Sequence, residues 1–146
     1  MRTLAIIIFL ALFSACGAAG FSEYRESKFS IQIPDGYEKK TLTSADSRYA
    51  IWRNNRSHIE IVLLERAARI NDPQNKYSMH FEKVTTNGFE YYKSIKKNAV
   101  FLLIVKAVSD RKVKFVDIFI SYIDITDDDT KEAINIFKSF KWLEEK

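Results

Sequence analysis

Apolar and polar side chains alternate over residues 29–33, and this period of two predicts a short strand. The Pro-Asp-Gly sequence at 34–36 predicts the turn that ends it. Two further β-rich runs, at 48–53 and 58–64, flank an Asn-rich tetrad at 54–57. Two such runs joined by so short a connection predict a β-hairpin.

Three consecutive runs in the second half of the chain predict an antiparallel meander. Residues 89–95, 99–108 and 113–123 are rich in β-branched and aromatic side chains, and short polar segments separate them. The middle run is apolar on both of its faces. Because both faces of such a strand must be covered, we expect it to be a central strand with a helix over each side of the sheet.

Two helices are predicted around this meander. Asp72 and Pro73 are typical of an N-cap and a first helical position, and Tyr77, Phe81 and Val84 would form one apolar edge of the helix that follows. The second helix is predicted near the C-terminus, where the acidic stretch precedes apolar residues at helical spacing. The residues of this second helix are the acidic stretch 126–130, followed by Ala133, Ile134, Phe137 and Phe140.

The order strand, hairpin, helix, meander, helix predicts a single α+β domain over residues 21–146, with an antiparallel sheet of about six strands flanked by helices. The chain has 146 residues, 47% of them hydrophobic, with four glycines and two prolines, which excludes a disordered or collagen-like chain. Removing residues 1–20 removes one of the 23 basic residues and none of the 19 acidic ones, which leaves a formal charge of +3. So small an excess does not predict nucleic-acid binding.

The first twenty residues have the order of a secretory signal peptide. Arg2 is followed by an apolar run at 4–13 and by small residues at 14–20. About 20 consecutive apolar residues are needed to cross a bilayer as a helix, and this run is too short. We therefore expect residues 1–20 to be a signal peptide and the protein to be exported, either periplasmic or anchored to a membrane.

The cleavage site has two interpretations. Residues 12–16 resemble a bacterial lipobox, in which the cysteine becomes lipidated and forms the mature N-terminus, although Phe13 stands where leucine is usual. Cys16 is the only cysteine of the chain, and it lies where lipidation would use it. The alternative is ordinary cleavage after Ala19 or Gly20, which would discard Cys16. We expect lipid attachment at Cys16.

The residues carry few indications of catalysis or of metal binding. His58 and His80 lie in different predicted elements with no cysteine beside them, so we expect no metal site, and we expect His58 to be solvated. The acids at 124–132 lack the spacing of a calcium-binding loop and are expected at a helix start. No serine has a Gly-x-Ser-x-Gly context, and no glycine-rich phosphate loop is present. We expect no cofactor and no catalysis.

Two short segments resemble the PsbP/Mog1-like superfamily. Residues 29–37, FSIQIPDGY, are similar to the opening strand and turn of that family, with Tyr37 in place of the usual tryptophan. Residues 134–142, INIFKSFKW, are similar to its closing helix. The resemblance implies a curved antiparallel sheet between helices and a binding role rather than catalysis. Its members include photosystem-associated subunits, a nuclear transport factor and bacterial envelope lipoproteins, and the signal peptide leaves the envelope branch as the one that fits.

The resulting expectation is a small exported, lipid-anchored binding or adaptor domain of the bacterial cell envelope, without catalysis. Its partner would be an envelope protein or a small ligand, and not a nucleic acid. We expect one sheet face to be incompletely covered, with Tyr91 and Tyr92 at the partner-binding surface. The alternative is an envelope hydrolase or ligand-modifying enzyme whose active site the sequence does not reveal.

Overall fold

The computed structural model describes residues 20–40, 48–65, 77–95, 99–109 and 112–143. The predicted signal peptide lies almost wholly outside these ranges, and so do Cys16 and the predicted N-cap at Asp72. No helix among the described residues is long and apolar enough to cross a membrane.

Ten strands and one helix form the regular structure of the described ranges. The strands are β1 (Phe21–Arg25), β2 (Phe29–Pro34), β3 (Glu38–Lys40), β4 (Arg48–Arg53), β5 (Ser57–Glu65), β6 (Glu82–Thr86), β7 (Phe89–Ser94), β8 (Ala99–Ser109), β9 (Lys112–Tyr122) and β10 (Lys141–Trp142). The helix, α1, spans Asp127–Ser139.

The strands form two sheets in which every neighbouring pair is antiparallel. The larger sheet has seven strands in the order β3-β4-β5-β9-β8-β7-β6, and the smaller has three in the order β1-β2-β10. In the larger sheet, strands that follow each other in sequence are neighbours, with one exception: β5 pairs with β9, although β6, β7 and β8 lie between these two strands in the sequence. The fold is thus built from hairpins and one long-range strand pairing in the larger sheet.

The predicted fold class, a single α+β sheet of about six strands flanked by helices, is wrong. The described residues are mostly β, in two sheets of seven and three strands, and α1 is the one helix among them. The prediction missed β1, β3, β6 and β10. These strands have two to five residues, lie at sheet edges and show little alternation, so their polar or mixed sequences carry no clear period of two.

The stronger periodic patterns predicted their strands correctly. The strand at 29–33, the hairpin at 48–64 and the meander over 89–123 all form, with β7, β8 and β9 as sequential antiparallel neighbours. The acidic stretch also starts a helix as predicted. Thr126 is the N-cap of α1, and Asp127, Asp128 and Asp129 occupy its first turn.

The predicted helix that begins at Asp72 is described from Tyr77 onward, and it is wrong beyond that residue: Tyr77 has helical backbone, but the helix does not continue after it. Residues 78–81 form a turn and irregular backbone, and Val84 lies in strand β6. Asn87 and Gly88 both have positive φ angles, of 51° and 75°, as the tight turn between β6 and β7 requires. The side chains of Tyr77, Phe81 and Val84 therefore do not share one helical edge.

The two faces of the large sheet are covered differently. The inner face, which contacts α1 and the small sheet, holds the main core, in which Phe29, Phe101 and Phe137 are fully or almost fully buried. The outer face holds a smaller cluster of Phe81, Val100 and Leu102, with Tyr77, Met79, Tyr92, Ile104 and Phe119 packed around it. Strand β8 contributes to both clusters, which agrees with its apolar pattern on both faces.

Candidate functional site

A surface cleft lies at one end of the large sheet, where the β4–β5 turn meets the end of β9. We call it the turn cleft, and its volume is about 270 Å³. Nine residues line it: Arg53, Asn54, Asn55, Arg56, Ser57, His58, Ser121, Tyr122 and Ile123. Because β5 and β9 pair from Ser57↔Tyr122 onward, the turn and the end of β9 are held side by side.

The turn itself is fixed by the side chain of Asn54. Its Oδ1 accepts hydrogen bonds from the backbone N–H of Arg56 (2.8 Å), from the backbone N–H of Ser57 (2.7 Å) and from Ser57 Oγ (2.9 Å). The backbone N–H of Asn54 also donates to the carbonyl of Ser57 at 3.1 Å. An asparagine side chain that accepts from its own following backbone is a standard way to close a turn, and it explains why the Asn-rich tetrad forms one.

Arg56 connects this turn to the start of α1. Its Nη2 donates to Asp129 Oδ2 at 2.7 Å and to the carbonyl of Asp124 at 3.4 Å. The same carboxylate of Asp129 accepts from the backbone N–H of Thr126 at 2.8 Å, which completes the capping box of the helix. Arg56 is therefore held in one orientation by the helix cap, while its side chain remains 54% exposed.

A part-buried polar network lies beneath the turn. Glu132 Oε1, on α1, accepts from the hydroxyls of Tyr37 (2.8 Å) and Tyr122 (2.9 Å), and the Tyr37 hydroxyl oxygen also lies in polar contact with Ser57 Oγ. Burial, together with the nearby Glu132 charge, raises the pKa of Tyr37 and of Tyr122 well above the ordinary value of 10.0. Both phenols therefore stay protonated at neutral pH and act as hydrogen-bond donors.

This network fixes the shape of the cleft. A serine nucleophile needs a neighbouring base that can take its proton. The phenol beside Ser57 is Tyr37, and because burial raises its pKa, it is protonated at neutral pH and is not such a base. Ser57 itself is buried, and its hydroxyl donates to Asn54. The exposed residues of the cleft lining are Arg53, Asn54, Asn55, Arg56 and Ile123, so its surface combines two guanidinium groups, two amide side chains and one apolar group.

A second polar cluster lies on the outer face of the sheet and was not predicted. Asp117 is 2% exposed in the middle of β9, and the Tyr77 hydroxyl donates to its Oδ2. Burial and the bond to Asp117 raise the pKa of Tyr77 above its ordinary value. An acid placed between apolar residues of a β-run, as at 113–123, was the feature of the sequence that could have indicated it.

His58 is half-buried on the same outer face, and not solvated as predicted. Its Nε2 lies 3.9 Å from Glu60 Oε2, two residues along β5. Side chains two residues apart on a strand point to the same face, which brings the imidazole and the carboxylate together. His80 lies apart from this pair, exposed in the irregular segment before β6.

Tyr91 and Tyr92, the predicted partner-binding residues, lie on opposite faces of β7. Tyr91 is 4% exposed in the main core, with ring centroids 6.1 Å from Phe101 and 6.2 Å from Phe137. Tyr92 is half-buried against the outer cluster. Adjacent residues of a strand point to opposite sides, so the two rings do not share one surface, and their part in partner binding stays a prediction.

Neither a metal site nor a known relative identifies the function. No group of three or more His, Cys, Asp or Glu side chains in the described ranges is placed to hold a metal ion. No family model and no curated protein matches the chain. The function must therefore be inferred from the residues and geometry of the turn cleft.

Proposed function

We propose that the chain is a small exported binding domain of the bacterial cell envelope, anchored by a lipid on Cys16, which holds an envelope protein or a small ligand and catalyses no reaction. The observation that supports this most is the turn cleft, where cationic and amide side chains stand at the surface above a fixed hydrogen-bond network. The resemblance of residues 29–37 and 134–142 to the PsbP/Mog1-like superfamily is part of this proposal.

The network favours binding because it fixes the cleft before any ligand arrives. Four parts of the fold meet there: Tyr37 before β3, the β4–β5 turn, the end of β9 and the start of α1. A site whose side chains are already held in place loses less conformational entropy on binding. The same bonds occupy the hydroxyls of Ser57 and Tyr37 in structural roles, which favours the binding function over the hydrolase alternative.

The start of the described chain lies at the same end of the molecule as the cleft. The carbonyl of Gly20 accepts from the backbone N–H of Asp35 at 2.8 Å, and Tyr37, two residues further on, belongs to the network beneath the cleft. An anchor at Cys16 would be four residues from Gly20, which is at most about 14 Å of extended chain. The cleft would then lie near the membrane that carries the anchor.

Mass spectrometry of the mature N-terminus tests the anchor. We expect a lipidated peptide that begins at Cys16, and no such peptide after Cys16→Ser. A mature protein that begins at Gly20 or Phe21 without lipid would contradict the anchoring part of the proposal.

Site-specific photo-crosslinking in intact cells tests the binding part. A photoreactive residue at Asn55, which is exposed in the cleft, is expected to give a discrete adduct that disappears in the Arg53→Gln/Arg56→Gln double variant. The matched control carries the photoreactive residue at Glu90, exposed on β7, and is expected to give no such adduct. Equal labelling from both positions, or an adduct insensitive to the arginines, would contradict the proposal.

A further inference from the structure

The turn cleft has an uneven charge that indicates the chemistry of its ligand. Its nine lining residues include Arg53, Arg56 and His58 and no acidic residue. A guanidinium carries five N–H donors in a planar fork, and the group of Arg56 uses one nitrogen on Asp129 and Asp124, so its remaining donors can serve a further acceptor. Arginine side chains with nearby hydroxyl and amide groups are typical of sites that bind phosphoryl oxygens.

Several acidic groups lie near the cleft and reduce its positive charge. Asp129 pairs with Arg56, and Glu60 lies beside His58. Glu38 is the register partner of Arg53 across β3 and β4. Asp124 is exposed next to the lining residue Ile123, and its backbone has a positive φ of 50°, which asparagine also tolerates. Asp124 is thus the acid whose charge can be removed with the least disturbance of the backbone.

The size and place of the cleft favour a small group at a membrane surface. Its volume of about 270 Å³ is near the lower end of small-molecule sites, enough for a phosphoryl group with a short polar substituent. Ile123 lines the cleft with 56% of its surface exposed, and Phe21, at the start of β1, is 42% exposed. Exposed apolar side chains beside cationic ones are typical of proteins that rest on the headgroup region of a bilayer.

We infer that the turn cleft binds the phosphoryl group of an anionic lipid headgroup in the membrane to which the domain is anchored. This inference rests on the proposed binding function and on its anchor at Cys16. A soluble phosphate ester shares the same chemistry and is the competing source. Arg53 and Arg56 would hold the phosphoryl oxygens, with Asn55 and Ser121 as neutral donors and Ile123 against the glycerol or acyl region.

NMR titration of the mature protein in uncharged detergent tests the inference. The probes are dihexanoylphosphatidylglycerol, dihexanoylphosphatidylcholine, glycerol 3-phosphate and inorganic phosphate, followed on the amide signals of residues 53–58 and 121–123. We expect saturable shifts with phosphatidylglycerol and an affinity about tenfold weaker for the zwitterionic lipid. Its phosphodiester is the same, but its choline cation would be repelled by the two arginines of the cleft.

Three variants distinguish the site from general charge attraction. Arg53→Gln is expected to weaken phosphatidylglycerol binding about tenfold, and Asp124→Asn is expected to strengthen it about threefold by removing a rim charge. Lys106→Gln, which removes an exposed cation near the far end of β8, is the matched control and should leave the affinity unchanged. Thermal unfolding of each variant checks that the fold is retained.

Each result has a defined meaning. Equal weakening by Arg53→Gln and Lys106→Gln would overturn the site, because the attraction would then be general. Glycerol 3-phosphate binding as tightly as phosphatidylglycerol would overturn the lipid source in favour of a soluble ester. Absence of saturable shifts with every probe, while Asn55 still forms its arginine-dependent adduct in cells, would overturn the phosphoryl inference and leave the proposed binding function standing.

Discussion

The two faces of the seven-stranded sheet are made from alternate residues of the same strands, yet they bury different chemistry. The inner face is a continuous apolar core against α1 and the small sheet. The outer face mixes a small apolar cluster with the half-buried His58 and Glu60 and the buried Asp117. A strand such as β8 is apolar on both faces, so the difference depends on the side chains that β5 and β9 contribute to each face.

This difference shows where the fold allows polar groups below its surface. A buried carboxylate needs hydrogen-bond partners, and Tyr77 supplies one to Asp117 on the outer face. On the inner side, Glu132 accepts from two tyrosines at the sheet end, below the turn cleft. We expect the inner face to carry most of the stability, and the following substitutions test that expectation.

The largest expected contrast is between two phenylalanines on neighbouring strands. Phe101 is fully buried on the inner face, and Phe119 is half-buried on the outer face. Phe101→Ala should cost about 3–5 kcal/mol of the free energy of unfolding, and Phe119→Ala should cost clearly less because part of its ring is already in contact with water. Denaturant unfolding of both variants measures the difference. Equal losses would show that the two faces contribute alike.

The next contrast lies between adjacent residues of β8. Leu103 faces the inner core and is buried, while Ile104 faces outward and is half-buried. Leu103→Ala is expected to cost about 2–5 kcal/mol and Ile104→Ala less, since the cost rises with the buried apolar volume that truncation removes. Chemical denaturation of the pair decides this. Losses below about 1 kcal/mol at both positions would contradict the central place of β8.

A smaller contrast uses the two tyrosines of β7. Tyr91→Leu removes ring contacts with Phe101 and Phe137, each aromatic pair being worth about 0.5–1.5 kcal/mol, so the melting temperature should fall by several degrees. Tyr92→Leu keeps an apolar group on the half-buried outer side and should change it little. Calorimetry of the two variants measures both melting temperatures. A larger fall for Tyr92→Leu than for Tyr91→Leu would contradict the placement of Tyr91 in the main core.

The smallest effect concerns the outer-face bond between Tyr77 and Asp117. Tyr77→Phe removes it and should cost about 1 kcal/mol at pH 7. Because the folded pKa of Tyr77 is raised, the protonated form stabilises the fold fully below pH 10 and less as the pH rises above 10. The variant should therefore lose stability less steeply between pH 9 and 11, as urea unfolding across that range would measure. If the free energy of unfolding falls as steeply with pH in the variant as in the unsubstituted protein, Tyr77 is not a source of the alkaline loss of stability.

The turn cleft was only partly predictable from the sequence. The Asn-rich tetrad at 54–57 predicted its turn, because an asparagine side chain closes such a turn locally. The sequence did not predict that Arg56 meets Asp129, which lies 73 residues further along the chain. That contact needs β5 to pair with β9, and a strand's own period carries no information on its partner.

Two features of β6 and β7 have local causes that the sequence did contain. Asn87-Gly88 is a strong hairpin sequence, and giving it weight would have placed β6 at 82–86 instead of extending a helix to Val84. Tyr91 and Tyr92 are adjacent in a strand, so strict alternation already excludes them from one face. The predicted anchor at Cys16 lies outside the described residues and stays a prediction.

The sequence by itself determined the long strands, the meander, the Asn54 turn and the acidic start of α1, because each depends on periodicity or bonding within a few residues. Only the tertiary structure decided which short segments became strands at the sheet edges, which face of β8 became the main core, and how the turn with Arg53 and Arg56 came to meet the end of β9 in one cleft. These outcomes depend on pairings between residues far apart in the chain, whose free energy comes from burial and hydrogen bonds that exist only after the strands and α1 have assembled.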